Sequence, residues 1–287
     1  MLQPSHLQEY YAKALMDGRR DGKGGLSPRT VQHHHRVLAE ALNHAVKWGL
    51  VARNVATAVD PPRPVHKEMV NSTPADIKQL LATAQGTPYY DLIFTALYTG
   101  MRRGELLGLR WCDVDPDLAT LSVIQTLQRR YGGEYIFKEP KTIKSRRLIS
   151  LPPSLAILLR ERKAGVIAER SNLGLTFTDN DLVFSHYDGT PFDPSTVSHT
   201  FNRIARKAGL PQMRFHDTRH AHASLMLRNG IHPKIVSERL GHSTIAVTID
   251  LYSHVTPGLQ EAAALRFEDA LRGIALKPQS VPESATL

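Results

Sequence analysis

Five short stretches of the chain carry residue types suited to handling a phosphate ester. In Thr99–Leu106 (TGMRRGEL) a glycine turn puts Arg102 near the start of a short helix. A guanidinium offers a planar fork of donors matched to phosphate oxygens. The same arginine, paired with Glu105 on a helix face, would be an ordinary solvated ion pair. In Lys141–Arg147 (KTIKSRR) a basic turn between candidate strands could touch phosphates in a groove. A lysine held there could also protonate a departing alkoxide. The turn reads equally as a solvated hairpin tip, and Lys144 shares it with Lys141.

In His216–His222 (HDTRHAH), His216 and Arg219 are placed to share the first turn of a helix, where anions are already favoured. The histidine titrates near neutrality and the arginine adds fixed charge. His216 and His220 also have the i, i+4 spacing of a zinc helix. However, Asp217 stands where H-E-x-x-H needs Glu, and no third ligand is marked by spacing. Partly buried structural histidines are the plainer alternative. Leu240-Gly241-His242 puts a histidine in a tight connection after a helix stop. In Thr248–His254 (TIDLYSH), Ile245, Ile249 and Tyr252 fall on one helical face, expected to point inward. By itself Tyr252 reads as a core residue with its hydroxyl satisfied.

The elements that must position these residues are mainly helical. A helix is expected over Leu7–Met16, followed by a glycine-rich break from Asp17 to Gly25. Ser27 then caps a long helix with Pro28 at its first position and Val31, His35, Leu38, Leu42 and Ala45 on one face. A short helix follows near Asn54, then the stiff segment Asp60–Pro64. Thr73 and Pro74 open a second region, with helices over Ile77–Thr83 and Tyr90–Tyr98. Thr120–Gln128, Glu134–Phe137 and Arg147–Leu151 read as a small antiparallel sheet, and Leu182–Phe184 as a further strand. Helices are expected over Pro153–Ala168, Ser195–Ala208, Asp217–Asn229, Pro233–Leu240, Thr244–Tyr252 and Pro257–Arg272, before a small polar tail.

Each motif is weak alone; their order is specific. The set resembles that of the tyrosine recombinase (phage integrase) family. The family's T-G-x-R-x-x-E-L is matched by Arg102 and Glu105, its hairpin lysine by Lys141, and its H-x-x-R by His216 and Arg219. Its L-G-H is matched by His242, and its tyrosine followed two residues later by histidine by Tyr252 and His254. Thr218 stands at a position that is often Leu, a change of packing. The resemblance covers roughly Ser72 to Leu271.

The resemblance implies a mainly α (α+β) fold: a small N-terminal helical domain and a mixed catalytic domain of helices with a small antiparallel sheet. Residues 1–60 would be part of a core-binding domain that grips the duplex, short of the several helices usual there. Residues 61–71 would be a linker, 72–275 the catalytic domain and 276–287 a loose tail. Either the natural start lies upstream of Met1 or the chain is a shortened copy. Arg102 and Arg219 would clamp the phosphate, His242 would add a hydrogen bond, His216 would help remove the tyrosine proton, and Lys141 would protonate the 5′ oxygen. Tyr252 would hold the DNA 3′ end covalently. No metal, cofactor or ATP is implied, since the arginines supply the charge and the phosphotyrosyl bond keeps the energy.

Double-stranded DNA is the implied partner, with a homotetramer on synapsed DNA, passage through a Holliday junction, and accessory bending or directionality factors. An apolar face of Ala264, Leu265, Phe267 and Leu271 would pack on a neighbouring subunit or within the chain. The alternatives are a type IB-like topoisomerase, a truncated DNA-binding relative unable to complete recombination, and a zinc hydrolase that leaves Tyr252 and Arg102 unexplained.

Composition agrees with a polyanionic partner. The 287 residues carry 36 Lys and Arg against 27 Asp and Glu, a net charge of +9. Hydrophobic residues make up 41%, enough for a sizeable core. One cysteine, Cys112, excludes an internal disulfide and a CxxC zinc site; it suits a reducing cytosol and is expected as buried packing beside Trp111. No apolar run approaches the ~20 residues of a membrane span, and the N-terminus lacks a signal-peptide pattern. A bacterial or phage protein of the cytoplasm, working at the nucleoid, is expected.

Overall fold

The computed structural model describes residues 2–64, 72–139, 145–242, 244–249, 264–265, 267–269 and 271. The chain divides into two compact units, Met1–Met69 and Val70–Leu287.

The first unit is built on two helices, α1 (Pro4–Asp17) and α2 (Pro28–Lys47), and a 3-10 turn, Val55–Ala58. Ser27 caps α2 by accepting from the Thr30 N–H at 3.2 Å. Leu7, Tyr11, Ala14, Val31, Ala56 and Val59 are buried together. The α2 face expected from spacing is the one turned inward, with one refinement: His35 meets the Tyr11 hydroxyl at 2.7 Å through Nδ1. Near Asn54 the element is the 3-10 turn, because the Asn54 side chain accepts from the Ala56 N–H and donates back to the Ala39 carbonyl.

The second unit begins with α3 (Pro74–Ala84), where Thr73 and Asp76 form a reciprocal cap, and α4 (Tyr90–Thr99). The short α5 (Arg103–Leu107) and a 3-10 turn, Trp111–Asp113, lead into the strands. These are β1 (Val114–Asp115), β2 (Thr120–Val123), β3 (Thr126–Arg129), β4 (Tyr135–Lys138) and β5 (Arg147–Ser150). Then come α6 (Pro153–Asn172), α7 (Pro194–Lys207), α8 (Asp217–Arg228) and α9 (Pro233–Leu240). One core gathers apolar residues from α3 to α8 and the strands, with Trp111, Phe184, Phe201 and Leu92 among its fully buried side chains.

The strands depart from expectation. Thr120–Gln128 is two strands, not one, and they belong to different antiparallel sheets, β1-β2-β5 and β3-β4. The chain leaves the first sheet at Ile124-Gln125, where the Gln125 side chain donates to the Gly108 carbonyl at 2.8 Å. Beyond it β3 lies directly on α5. A Cβ at Gly104 would stand 2.5 Å from Thr126 Oγ1, and one at Gly108 2.9 Å from the Leu127 nitrogen, so two glycines permit the approach.

Leu182–Phe184 is not a strand. Val183 and Phe184 are buried, but among the described residues the segment's backbone pairs with the irregular stretch around Leu109–Cys112, through an isolated bridge and single hydrogen bonds. Cys112 is exposed rather than buried, because the 3-10 turn sends Trp111 inward and its neighbour outward.

Candidate active site

The site is organised by two helix ends. Gly100 ends α4 and Gly241 ends α9, both in the left-handed region, with φ of 65° and 66°. At Gly100 this conformation coincides with close packing: a Cβ would lie 2.5 Å from the Leu240 side chain and 2.7 Å from the His222 ring. The last carbonyls of a helix have no partner within it. Here side chains from other elements satisfy them. For α4, His222 Nδ1 meets the Leu97 carbonyl at 2.9 Å and Arg239 donates to the Tyr98 carbonyl at 3.0 Å. Arg219 donates to the carbonyls of Gly100 and Leu240, both at 2.8 Å, and so ties the two helix ends together. Arg102 donates to the Gly241 carbonyl at 3.2 Å.

Arg102 occupies the cap position of α5. Its backbone N–H donates to Glu105 Oε2 at 2.9 Å and its guanidinium to Glu105 Oε1 at 2.7 Å. Its side chain remains 41% exposed. Arg219 is buried one turn into α8. A guanidinium has five N–H donors. Among the described residues each arginine uses two on the contacts just given, which leaves donors for an incoming anion.

Glu105 is the buried counter-charge. It also receives Arg147, with contacts of 2.8 and 3.3 Å. Burial alone would raise its carboxyl, but the Arg147 guanidinium and the Arg102 N–H hold it below the usual range. Two guanidinium groups thus face one carboxylate. Burial, then the Arg102 charge, pulls Arg219 down to about 9, which leaves it charged at neutral pH.

The histidines respond to the same field. His216 precedes α8, its ring 5.1 Å from that of His220. Burial, then His220 and Arg219, lowers His216; burial lowers His220 as well. His242 is pushed down to about 4 by burial and then by Arg219 and Arg102. These imidazoles are neutral at pH 7 in surroundings that are net positive, the electrostatic character of an anion site. Asp217, buried, accepts the Arg214 N–H and guanidinium and so fixes the turn before α8. Thr218 is buried there and donates its hydroxyl to the Phe215 carbonyl at 2.7 Å.

Arg102, His216, Arg219 and His242 are therefore brought together. Lys141, Lys144, Tyr252 and His254 lie outside the described residues, as do most of the linker and the tail. Residues 246–249 are helical, but the inward face differs from expectation. Ile245 and Ile249 are exposed, whereas Thr248 is fully buried and shares a 2.8 Å hydrogen bond with His242 Nδ1. The described residues of the last expected helix are helical, with Leu265, Phe267 and Leu271 exposed.

Two supporting residues escaped the sequence reading. Arg147 was legible only as part of a basic run; on β5 it shares a face with buried Ile149, and that alternation could have marked its burial. Arg239 donates to His222 Nε2, the Ser150 carbonyl and the Tyr98 carbonyl, joining α9 to α8, β5 and α4. Among the described residues no three His, Cys, Asp or Glu side chains converge to hold a metal ion, and no helix is long and apolar enough to cross a membrane.

Residues 71–258 match the model of the phage integrase family. The chain is 31% identical over 268 residues to a tyrosine recombinase XerC-like protein of Caldanaerobacter subterraneus, covering 88% of this chain and 67% of that protein. It is 27% identical to the ICEBs1 integrase of Bacillus subtilis, covering 93% and 75%. Its fold is similar to that of the Tn1549 transposon integrase in complex with circular intermediate DNA, with a TM-score of 0.73, 25% identity, and coverage of 92% and 85%. It is also similar, with a TM-score of 0.61 and 18% identity, to lambda integrase solved as a tetramer on a Holliday junction, covering 89% and 66%.

Proposed function

The chain belongs to the phage integrase family and is a tyrosine-type site-specific recombinase, and from that premise we propose which of its residues carry the chemistry. Tyr252 Oη attacks a DNA phosphorus, a P–O bond forms, and the bond from phosphorus to the 5′ oxygen breaks. The phenol proton passes to His216, and Lys141 supplies a proton to the departing oxygen. Arg102 and Arg219 hold the non-bridging oxygens as charge develops, with His242 donating beside them. Tyrosine is a weak nucleophile at neutral pH, its phenol titrating near ~10, so this assistance is needed. Because the phosphotyrosyl bond keeps the ester energy, attack by a 5′ hydroxyl rejoins the strands without ATP.

The observation that carries this reading is the convergence of Arg102 and Arg219 on the turn at Leu240-Gly241, with neutral His216 and His242 in the same positive field.

DNA is the substrate and the working form is a multimer. The finer assignment is a homotetramer that exchanges strands through a Holliday junction, the kind of assembly in which lambda integrase was solved. Residues 72–275 would supply the catalytic unit and residues 1–60 part of the grip on the duplex. The exposure of Leu265, Phe267 and Leu271 supports packing of that helix on a neighbouring copy. Accessory bending or directionality proteins and work at the cytoplasmic nucleoid complete the reading.

The test is to incubate the protein, in EDTA, with nicked suicide DNA from its genomic flanks and run a denaturing gel. A covalent adduct is expected, absent in Tyr252→Phe. No adduct on any flanking site, or abolition by EDTA, would overturn the assignment.

A further inference from the structure

Thr248 has no place in the mechanism above, yet it is fully buried and stands four positions ahead of Tyr252. Its hydroxyl lies 2.8 Å from His242 Nδ1. Among the described residues, His242 Nδ1 is the hydrogen-bond partner of that hydroxyl. A neutral imidazole has one donor nitrogen and one acceptor nitrogen, and the partner of one decides the state of the other. If Nδ1 carried the proton, Thr248 would accept it, and its own hydroxyl proton would be left buried without a partner among the described residues. That costs free energy. If Thr248 donates, both groups are satisfied, Nδ1 is the acceptor, and the ring proton sits on Nε2.

We propose that Thr248 is a positioning residue that sets His242 in its Nε2–H tautomer, so that the imidazole presents a donor to the DNA phosphate. The consequence is specific. Neutral His242 in the opposite tautomer would turn a lone pair toward an anion and repel it. Burial and the flanking arginines keep the ring neutral, so its orientation and tautomer, not its charge, determine whether it helps. The contact also ties the L-G-H turn to the helical residues 246–249, which end three positions before Tyr252 in the sequence.

This inference rests on His242 acting at the phosphate, and two measurements keep the two ideas separable. In protein labelled with 15N-histidine, with His242→Ala to assign the signal, His242 is expected to show a protonated Nε2 and an unprotonated Nδ1. Thr248→Val should lose that uniform state and Thr248→Ser should keep it. A ring protonated on Nδ1 in the unsubstituted protein would overturn the proposal, whatever the enzyme does to DNA. On suicide DNA, Thr248→Val should slow single-turnover cleavage about tenfold, the size of one lost hydrogen bond, and Thr248→Ser should restore it. In the His242→Ala background, Thr248→Val should cost nothing more. An equal slowing in both backgrounds would mean that Thr248 acts through the fold alone, and would also overturn it. Should the unsubstituted protein form no adduct, the catalytic assignment falls while the histidine spectrum still decides the tautomer.

Discussion

Glu105 and Arg147 lie 42 residues apart in the chain, yet their side chains form a two-pronged ion pair with 5% and 6% exposure. The pair joins α5 to β5, and through Glu105 it orients Arg102. Removing one member of a buried pair strands the other charge, at a cost of about 3–5 kcal/mol. Glu105→Gln is therefore expected to lower unfolding free energy in urea by an amount of that order. It should also slow cleavage at temperatures where the variant is folded. Unchanged stability would show that Arg147 finds another partner.

Arg219 bridges two carbonyls with two nitrogens of one planar group. A lysine is a point charge and cannot span both. Arg219→Lys should retain most DNA affinity but lose cleavage by about 10²- to 10³-fold, the usual cost of removing one preorganised donor to a developing anion. Gel-shift and single-turnover assays on the same suicide DNA separate the two effects.

Acid should destabilise the fold through His222. This ring is pushed down to about 4 by burial, then by Arg239, whose donation to Nε2 requires a neutral ring. The folded state thus binds its proton less readily than the unfolded chain, whose histidines titrate near ~6.5. The stability is fully present above that value and is lost as pH falls toward 4. The slope is at most about 1.4 kcal/mol per pH unit for this one proton. Urea midpoints measured across this window should fall with pH, and His222→Gln should flatten the dependence.

His216 can accept the tyrosine proton only when neutral. Burial, then His220 and Arg219, hold it below its ordinary value. The acid limb of cleavage, measured at subsaturating DNA so that it reports the free enzyme, should be centred below ~6.5. A midpoint at or above that value would argue for another base.

Gly100→Ala should destabilise more than Gly174→Ala. Both glycines have positive φ, 65° and 68°, so both substitutions carry the left-handed penalty of about 1–2 kcal/mol. Only at Gly100 does the added methyl meet neighbours, Leu240 and His222; around Gly174 the space is open. Thermal melts of the two variants give the difference directly.

Much of the helical framework was legible because its signals are local. Ser27 and Thr73 as caps, prolines at first positions, and Gly241 as a stop each act within one turn of chain. The strands were less legible. Thr120–Gln128 alternates except at Ile124-Gln125, and nothing within it announces that Gly104 and Gly108, far upstream, admit its second half onto α5. Ile245 and Ile249 fell on an apolar face by spacing, but a hydroxyl partner for His242 turned Thr248 inward instead.

By itself the sequence determined the family, the phosphate-handling residue types and their order, because these depend on side-chain chemistry and on turns a few residues long. Only the tertiary structure decided how Arg102 and Arg219 are held. Their anchors are carbonyls at Gly100, Leu240 and Gly241, groups every residue possesses and no motif can display. It likewise decided that Glu105 is buried between two arginines and that the surrounding histidines are neutral. Burial and field are sums over segments distant in sequence, and they come into being only when α4, α5, β5, α8 and α9 meet.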